Sequence, residues 1–335
     1  MSYNIYRKMT CVGVSPSFLS LSSLAECFVH FNMPELALAM PGIILKCGYS
    51  VNVYVANVVL KGLCYKGKLV KAVKFLDEMG RNSVSPDVVS FNTLIKGLCR
   101  VRNLDEAINM RSKMEHANCV PNVVTYTILM DGFCVKGQTD EAMGLLEEMR
   151  MKQLEPDVYI YNTLINGLCT NDDVDRGKEL LNEMLEKEIS PNEVTYTCLM
   201  NGLCKMGRMK EAKVFFNTML ERGIRPDVIT FTGLISGLCK DGKIAKAVEL
   251  FNFMLEKGEE PNNRTYNILI NGLCKEGLLS DAFKILEMMV EKGKKPDVIT
   301  YNVIMRGLCD VGNINYALKL FDSMLSNKNY VDPDA

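Results

Sequence analysis

One short phrase recurs through this chain at a fixed interval. Gly-Leu-Cys, written once as Gly-Phe-Cys, begins at Gly62, Gly97, Gly132, Gly167, Gly202, Gly237, Gly272 and Gly307, always 35 residues apart. Its surroundings recur as well: "NGLCKMGRMKEA" from Asn201 is echoed by "SGLCKDGKIAKA" from Ser236 and "NGLCKEGLLSDA" from Asn271. A strict period in the range of about 20 to 50 residues marks a stacked array, each repeat being one small supersecondary unit. The 335 residues therefore read as one solenoid and not as two or three globular domains.

Glu193 to Asp227 shows what the unit is. Tyr196, Leu199, Met200, Leu203 and Cys204 fall at i, i+3, i+4, i+7 and i+8, the apolar stripe of an amphipathic helix. Gly207 interrupts it. Met209, Ala212, Phe215, Phe216 and Met219 then resume helical spacing, Gly223 closes the second helix, and Pro226 prevents its continuation. Each unit is thus predicted to be helix, tight turn, helix, loop. One helical pair cannot bury its apolar face alone, so neighbours must stack into a continuous core. Gly202, in mid-helix, should cost about 1 kcal/mol relative to alanine. Its recurrence predicts that two helix backbones approach closely there. The small residue at Ala212, repeated at Ala72, Ala107, Ala142, Ala247, Ala282 and Ala317, carries the same implication.

The register sets nine units: 18–52, 53–87, 88–122, 123–157, 158–192, 193–227, 228–262, 263–297 and 298–335. The first is irregular, with Cys27 at the glycine position and Pro41 inside its second helix. Residues 1–17 read as the trailing part of a truncated repeat, since Met9 precedes Pro16 by seven residues as Met149 precedes Pro156. On that reading the chain starts inside a repeat and its targeting peptide is not present. The uncovered ends of such an array predict fraying at residues 1–17 and 325–335 or end-to-end self-association.

Composition narrows the chemistry. Hydrophobic residues make up 48% of the chain, but no stretch approaches 18 uninterrupted apolar residues, so no membrane span is expected. A formal charge of −1 means that a nucleic-acid partner must be held by local basic rows and not by a global field. Eight of the thirteen cysteines are the repeat residues Cys64, Cys99, Cys134, Cys169, Cys204, Cys239, Cys274 and Cys309. With no Cys-x-x-Cys and only His30 and His116, they fit no usual zinc spacing and read as small buried apolar residues. Free thiols in this number imply a reducing compartment.

Val123–Asp157, "VVTYTILMDGFCVKGQTDEAMGLLEEMRMKQLEPD", resembles the pentatricopeptide repeat. The uniform 35-residue units and the Gly-Leu-Cys-Lys wording resemble its plain P-type subclass, especially restorer-of-fertility-like proteins of plant organelles. The resemblance extends over nearly the whole chain. It implies an all-α, right-handed superhelical solenoid of helix-turn-helix repeats that binds single-stranded RNA, one base per repeat. It also implies a mitochondrial or, alternatively, chloroplast location and a role in RNA processing, stability or translation. A separate nuclease or a ribosome recruited in trans would be a further partner. No cofactor is implied.

Two polar series bear on this resemblance. The fifth position of successive units holds Ser22, Asn57, Asn92, Thr127, Asn162, Thr197, Thr232, Asn267 and Asn302. The last position holds Asn52, Asp87, Asn122, Asp157, Asn192, Asp227, Asn262, Asp297 and then Asp332 or Asp334. Asp or Asn just before a helix is also a favoured N-cap, which would account for the second series alone. It does not account for the first, where Ala, Glu or Lys would serve a helix equally well. Paired series whose members change hydrogen-bonding type fit base readers better: Asn donates and accepts, ionised Asp only accepts, and a hydroxyl does either.

The family's recognition rule carries over pair by pair. Thr with Asp implies G, Thr or Ser with Asn implies A, Asn with Asp implies U, and Asn with Asn implies C more than U. With the protein N-terminus at the RNA 5′ end, the implied target is 5′-A-U-C/U-G-C/U-G-A-U-U-3′. The second position resembles the family's base-sandwiching site. It holds Leu19, Tyr54, Val89, Val124, Tyr159, Val194, Ile229, Arg264 and Ile299; Arg264 either stacks by its guanidinium plane or weakens its site. After Gly-Leu-Cys come Arg100, Lys205, Lys240 and Lys275, at a position that faces phosphates in the family and that also suits a solvated helix surface. Tyr65, Val135, Thr170 and Asp310 leave this row incomplete.

No catalytic constellation accompanies these rows. The sequence has no His-x-Glu with a distal Cys-x-x-Cys, no HExxH and no GxxxxGK[ST]. Asp172-Asp173 falls in an inter-helix turn and reads as solvated. The chain is therefore predicted to be no enzyme but an RNA clamp acting by occupancy. The rival is a protein-binding helical-repeat scaffold like the tetratricopeptide array, whose 34-residue period and Trp signature this Trp-free, 35-residue register does not match.

Overall fold

Eighteen helices and no strand occur among the described residues, which are 16–81 and 84–326 of this computed structural model. They pair as first and second helices of successive units. The pairs are α1 (Phe18–His30) with α2 (Pro34–Lys46), α3 (Val53–Tyr65) with α4 (Leu69–Arg81), and α5 (Val88–Arg100) with α6 (Leu104–His116). Then come α7 (Val123–Lys136) with α8 (Thr139–Met151), α9 (Val158–Thr170) with α10 (Val174–Glu186), and α11 (Glu193–Lys205) with α12 (Met209–Glu221). The last are α13 (Val228–Lys240) with α14 (Ile244–Glu256), α15 (Asn263–Lys275) with α16 (Leu279–Glu291), and α17 (Val298–Asp310) with α18 (Ile314–Ser326). The residues up to Gly167 and those from Leu168 form two compact bodies, and each is described by itself.

Within each body the first helices pack directly on one another, as α3 does on α5 and α13 on α15. Second helices lie against their own first helix and against the first helix of the next repeat, as α4 does against α3 and α5. The stripes read from the sequence are what this packing hides. Tyr196, Leu199, Met200, Leu203, Cys204, Met209, Ala212, Phe216 and Met219 are all buried, while Phe215 is half-buried. The alanine row is buried throughout, from Ala72 to Ala317. Pro41 is accommodated inside α2, which runs unbroken to Lys46.

The close approach at the repeat glycines differs from the expectation. It is not backbone against backbone: the preceding repeat's cysteine is pressed onto the glycine. A Cβ on Gly202 would stand 2.8 Å from Cys169 Cβ and 2.8 Å from Val174 Cγ2; one on Gly132 would stand 2.7 Å from Cys99 Sγ. Such distances are well inside contact of about 3.5–4.0 Å. The recurrent triplet is therefore a lock between neighbours. Its glycine receives the cysteine of the unit before, its leucine enters the core, and its cysteine goes to the unit after. Where the first unit departs from the wording, Val29 takes the cysteine's place against Gly62.

Candidate nucleic-acid interface

The last residue of every unit from Asn52 to Asp297 is the N-cap of the next first helix. Its Oδ1 accepts from the backbone N–H three residues on, at 2.7–3.2 Å. Capping is thus a real role of this series. It does not discriminate Asp from Asn, because the cap uses the one oxygen the two residues share. The difference lies in the other atom, Oδ2 or Nδ2. At Asp87 and Asp297 every hydrogen bond to the side chain runs through Oδ1, so Oδ2 remains available. Burial acts to raise these two carboxyls. The hydrogen bonds from the helix N–H, the third-position hydroxyl and the fifth-position Asn outweigh it and hold both below the ordinary carboxylate range. Asp332 and Asp334 lie outside the described residues.

The fifth-position side chains are more enclosed than a place in the first turn suggested. Ser22, Thr127, Asn162, Thr197, Thr232 and Asn267 are buried, Asn57 and Asn92 half-buried, and Asn302 exposed. Asn57 and Asn267 each donate through Nδ2 to the last residue of their own unit, Asp87 and Asp297, at 3.1 Å in both cases. The fifth and last positions, 30 residues apart in sequence, are hydrogen-bonded neighbours in these two units.

Around these pairs stands a row of apolar side chains that the fold leaves outside its core. Leu19, Tyr54, Val89, Val124, Tyr159, Val194, Ile229 and Ile299 are 51–75% exposed, and Arg264 is exposed in the same register. Tyr54 donates its hydroxyl to Glu26. In the first body a groove of about 550 Å³ has Val124, Tyr159, Thr127, Asp157 and Arg100 among its lining residues. In the second body a groove of about 320 Å³ brings Ile229 and Arg264 together with Thr232, Asn262, Lys205 and Lys240. Each groove thus gathers two second-position residues, one fifth–last pair and at least one basic residue.

A family model described as the PPR repeat family matches residues 51–100, 86–135, 121–159, 156–205, 191–240, 228–275, 265–310 and 296–335. The chain belongs to the PPR repeat family. No curated protein sequence matches it. Among solved structures, the pentatricopeptide repeat protein PPR10 from maize is similar with a TM-score of 0.54 at 20% identity, over 96% of this chain and 56% of that one. PPR10 in complex with an 18-nt psaJ RNA element is similar with a TM-score of 0.50 at 20% identity, over 98% and 57%. The chain thus spans a little over half the length of PPR10. At this identity the likeness shows the PPR solenoid fold. The α1–α2 pair precedes the first family match and folds as a helical hairpin like the rest.

The basic row of the PPR units is partly engaged. Arg100, Lys205, Lys240 and Lys275 are all exposed. The Arg100 guanidinium stands over the Tyr65 ring at 5.5 Å. Lys205 Nζ is 2.8 Å from Asp172 Oδ1 and donates to the Thr170 carbonyl. This corrects the reading of Asp172-Asp173 as merely solvated. Asp172 pairs with Lys205, and Asp173 caps α10 through the Arg176 N–H. An ion pair this exposed contributes about 0–1 kcal/mol, so a phosphate could displace it.

Sequence reasoning passed over the third position of the unit. Ser90, Thr125, Thr195, Thr230, Thr265 and Thr300 are all buried there. Within each body, hydroxyls of this row reach back to the preceding repeat: Ser90 donates to Asn57 Oδ1 at 2.6 Å, Thr125 to Asn92 Oδ1 at 2.8 Å and Thr300 to Asn267 Oδ1 at 2.6 Å. The signal was present as a Ser/Thr series at 35-residue spacing. It was masked because such a residue three positions after an N-cap also completes a capping box.

Among the described residues no cluster of His, Cys, Asp or Glu is arranged to hold a metal ion, and no helix is long and apolar enough to cross a membrane.

Proposed function

We propose that this chain binds single-stranded RNA one base per repeat, its fifth and last residues reading the base edge and its second-position row packing against the base faces. The observation that carries this reading is the groove whose lining brings Val124 and Tyr159 together with Thr127 and Asp157. Packing of base faces on such side chains is typically worth about 1–3 kcal/mol per base. A PPR-family solenoid crystallised with an RNA element supports the same reading.

The chemistry of the cap gives the code a physical basis. With Oδ1 committed to the helix, Asp offers a second oxygen that only accepts, which suits the ring N–H of U or G. Asn offers an amide that only donates, which suits the bare ring nitrogen of C or A. The fifth position then selects ring size: the longer Asn reaches a pyrimidine, the shorter Thr or Ser leaves room for a purine. The resulting target is 5′-A-U-C/U-G-C/U-G-A-U-U-3′. Arg100, Lys205, Lys240 and Lys275 would meet phosphates, and binding would weaken with salt. Action by occupancy on mitochondrial transcripts, in their processing, stability or translation, follows from the family resemblance.

Thr197→Asn tests the reading. It converts Thr197/Asp227 into the pair already present at Asn57/Asp87 and Asn267/Asp297, and Asn is accommodated when buried at this position in Asn267. A wrong base typically costs about 1–3 kcal/mol, so the variant should lose on the order of tenfold for G at the sixth base and recover with U. An unchanged ratio of G to U affinity would refute it.

A further inference from the structure

We propose that the Ser or Thr that six repeats bury at their third position is a positioning residue, whose hydroxyl fixes the preceding repeat's fifth- and last-position side chains in their base-reading orientation. This rests on the base-reading function above. The case is clearest at Asn267, Asp297 and Thr300. The Asp297 backbone N–H donates to Thr300 Oγ1 at 3.1 Å, so the hydroxyl proton points elsewhere. It has two acceptors, Asn267 Oδ1 at 2.6 Å and Asp297 Oδ1 at 2.9 Å. Asn267 Nδ2 closes the ring by donating to Asp297 Oδ1 at 3.1 Å. The amide cannot turn over without setting its Oδ1 against the Asp297 carboxylate oxygen and losing the 2.6 Å bond from Thr300 Oγ1. What remains to face a base is one N–H of Asn267 and Oδ2 of Asp297, a donor beside an acceptor. Uracil presents the complement, a carbonyl oxygen beside N3–H. Asn57, Asp87 and Ser90 make the same ring, with Ser90 Oγ 2.6 Å from Asn57 Oδ1.

Capping does not explain this arrangement. Thr230 and Thr265 complete no capping box, yet their Oγ1 atoms lie 2.6 Å from Thr197 Oγ1 and 2.7 Å from Thr232 Oγ1. Nor does direct contact with RNA, since Ser90, Thr125 and Thr300 are 0% exposed. Two repeats lack the hydroxyl, having Val55 and Ile160 in its place. Thr232 bonds back to the Val228 carbonyl at 2.5 Å as well as meeting Thr265 Oγ1; where the hydroxyl is missing only the back-bond is found, Ser22 to the Phe18 carbonyl at 3.0 Å and Thr127 to the Val123 carbonyl at 2.8 Å. Neither of those is Asn. In sequence, Asn57, Asn92, Asn162 and Asn267 are each followed 33 residues later by Ser or Thr. These four amides each come with the hydroxyl, whereas Asn302 has Ala335 at that distance.

The experiment measures equilibrium binding of the full chain to four nonamers that differ only at the eighth base, for the parent, Thr300→Val and Thr300→Ser. Valine is native at this position in Val55, where α3 forms normally. We expect Thr300→Val to reduce the preference for U at that base on the order of tenfold, to leave preferences at the other bases unchanged, and Thr300→Ser to restore it. Equal weakening toward all four RNAs would show a packing role only and overturn the proposal, as would an undiminished preference. A parent with no preference at the eighth base would instead overturn the base-reading function itself. Thr127→Asn supplies a second arm at the fourth base: alone it should read U poorly, and with Ile160→Thr added it should read U well. A single variant that reads U as strongly as the double one would also overturn the proposal.

Discussion

Replacing Gly132 by alanine should destabilise the array, while the same change at Gly144 should stabilise it. Both glycines lie inside helices, α7 and α8, so alanine gains about 1 kcal/mol of helix propensity at each. Their surroundings differ. A Cβ at Gly132 would meet Cys99 Sγ at 2.7 Å, Cys99 Cβ at 2.9 Å and Leu104 Cδ2 at 3.1 Å; one at Gly144 would meet nothing within 4 Å. Cys99 Cβ is fixed to the α5 backbone and cannot rotate away, so α5 and α7 must separate by roughly 0.5–1 Å to restore contact of about 3.5–4.0 Å. Overpacking of this kind costs about 1–3 kcal/mol. The net effect at Gly132 is a loss of up to about 2 kcal/mol after the helical gain. At Gly144 the gain of about 1 kcal/mol stands alone. Because a stacked array opens locally, native-state hydrogen exchange across α5–α8 is the assay. If Gly132→Ala slows exchange as much as Gly144→Ala does, the interlocking of glycine and cysteine is refuted.

Two further outcomes follow from the same structure. Burial pushes the thiols of Cys99, Cys134, Cys169 and Cys204 up to about 12, so they stay protonated at neutral pH; a thiol reagent should modify exposed Cys309 at once and these four only on unfolding, and rapid native labelling of the four would contradict the packing. The carboxyls of Asp87 and Asp297 sit below their ordinary value despite burial, because the hydrogen bonds at the cap outweigh it. Their contribution is complete above the unfolded value of about 3.9 and is lost as pH falls through the lower folded value. Acid titration of stability should therefore show a smaller loss in the Asp87→Asn/Asp297→Asn variant, whose caps remain, and an unchanged acid limb would contradict this.

The helical stripes were legible because burial selects side-chain type at a period the eye can follow, as Tyr196 through Cys204 show. What lies against each stripe was not, because periodicity reports a face and not its neighbour. Gly202 announced a close approach, but only the packing identifies Cys169 as the atom group pressed onto it. The second position was legible for the opposite reason: Val124 and Tyr159 are apolar yet off the stripe, and the structure leaves both in solvent. Capping and reading at Asp87 looked like alternatives in sequence, since one letter cannot show that a carboxylate has two oxygens with two uses. The Thr300 hydroxyl escaped notice because its partner, Asn267, is 33 residues away in sequence.

The most direct measurement is equilibrium binding of the full chain, at fixed salt, to 5′-AUCGCGAUU-3′, to its set of single-base substitutions and to a scrambled nonamer of the same composition. Recognition by separate repeats predicts that the scrambled RNA binds far more weakly. It further predicts that substitutions at well-separated bases each cost about 1–3 kcal/mol and add. Equal affinity for the scrambled nonamer would contradict the account.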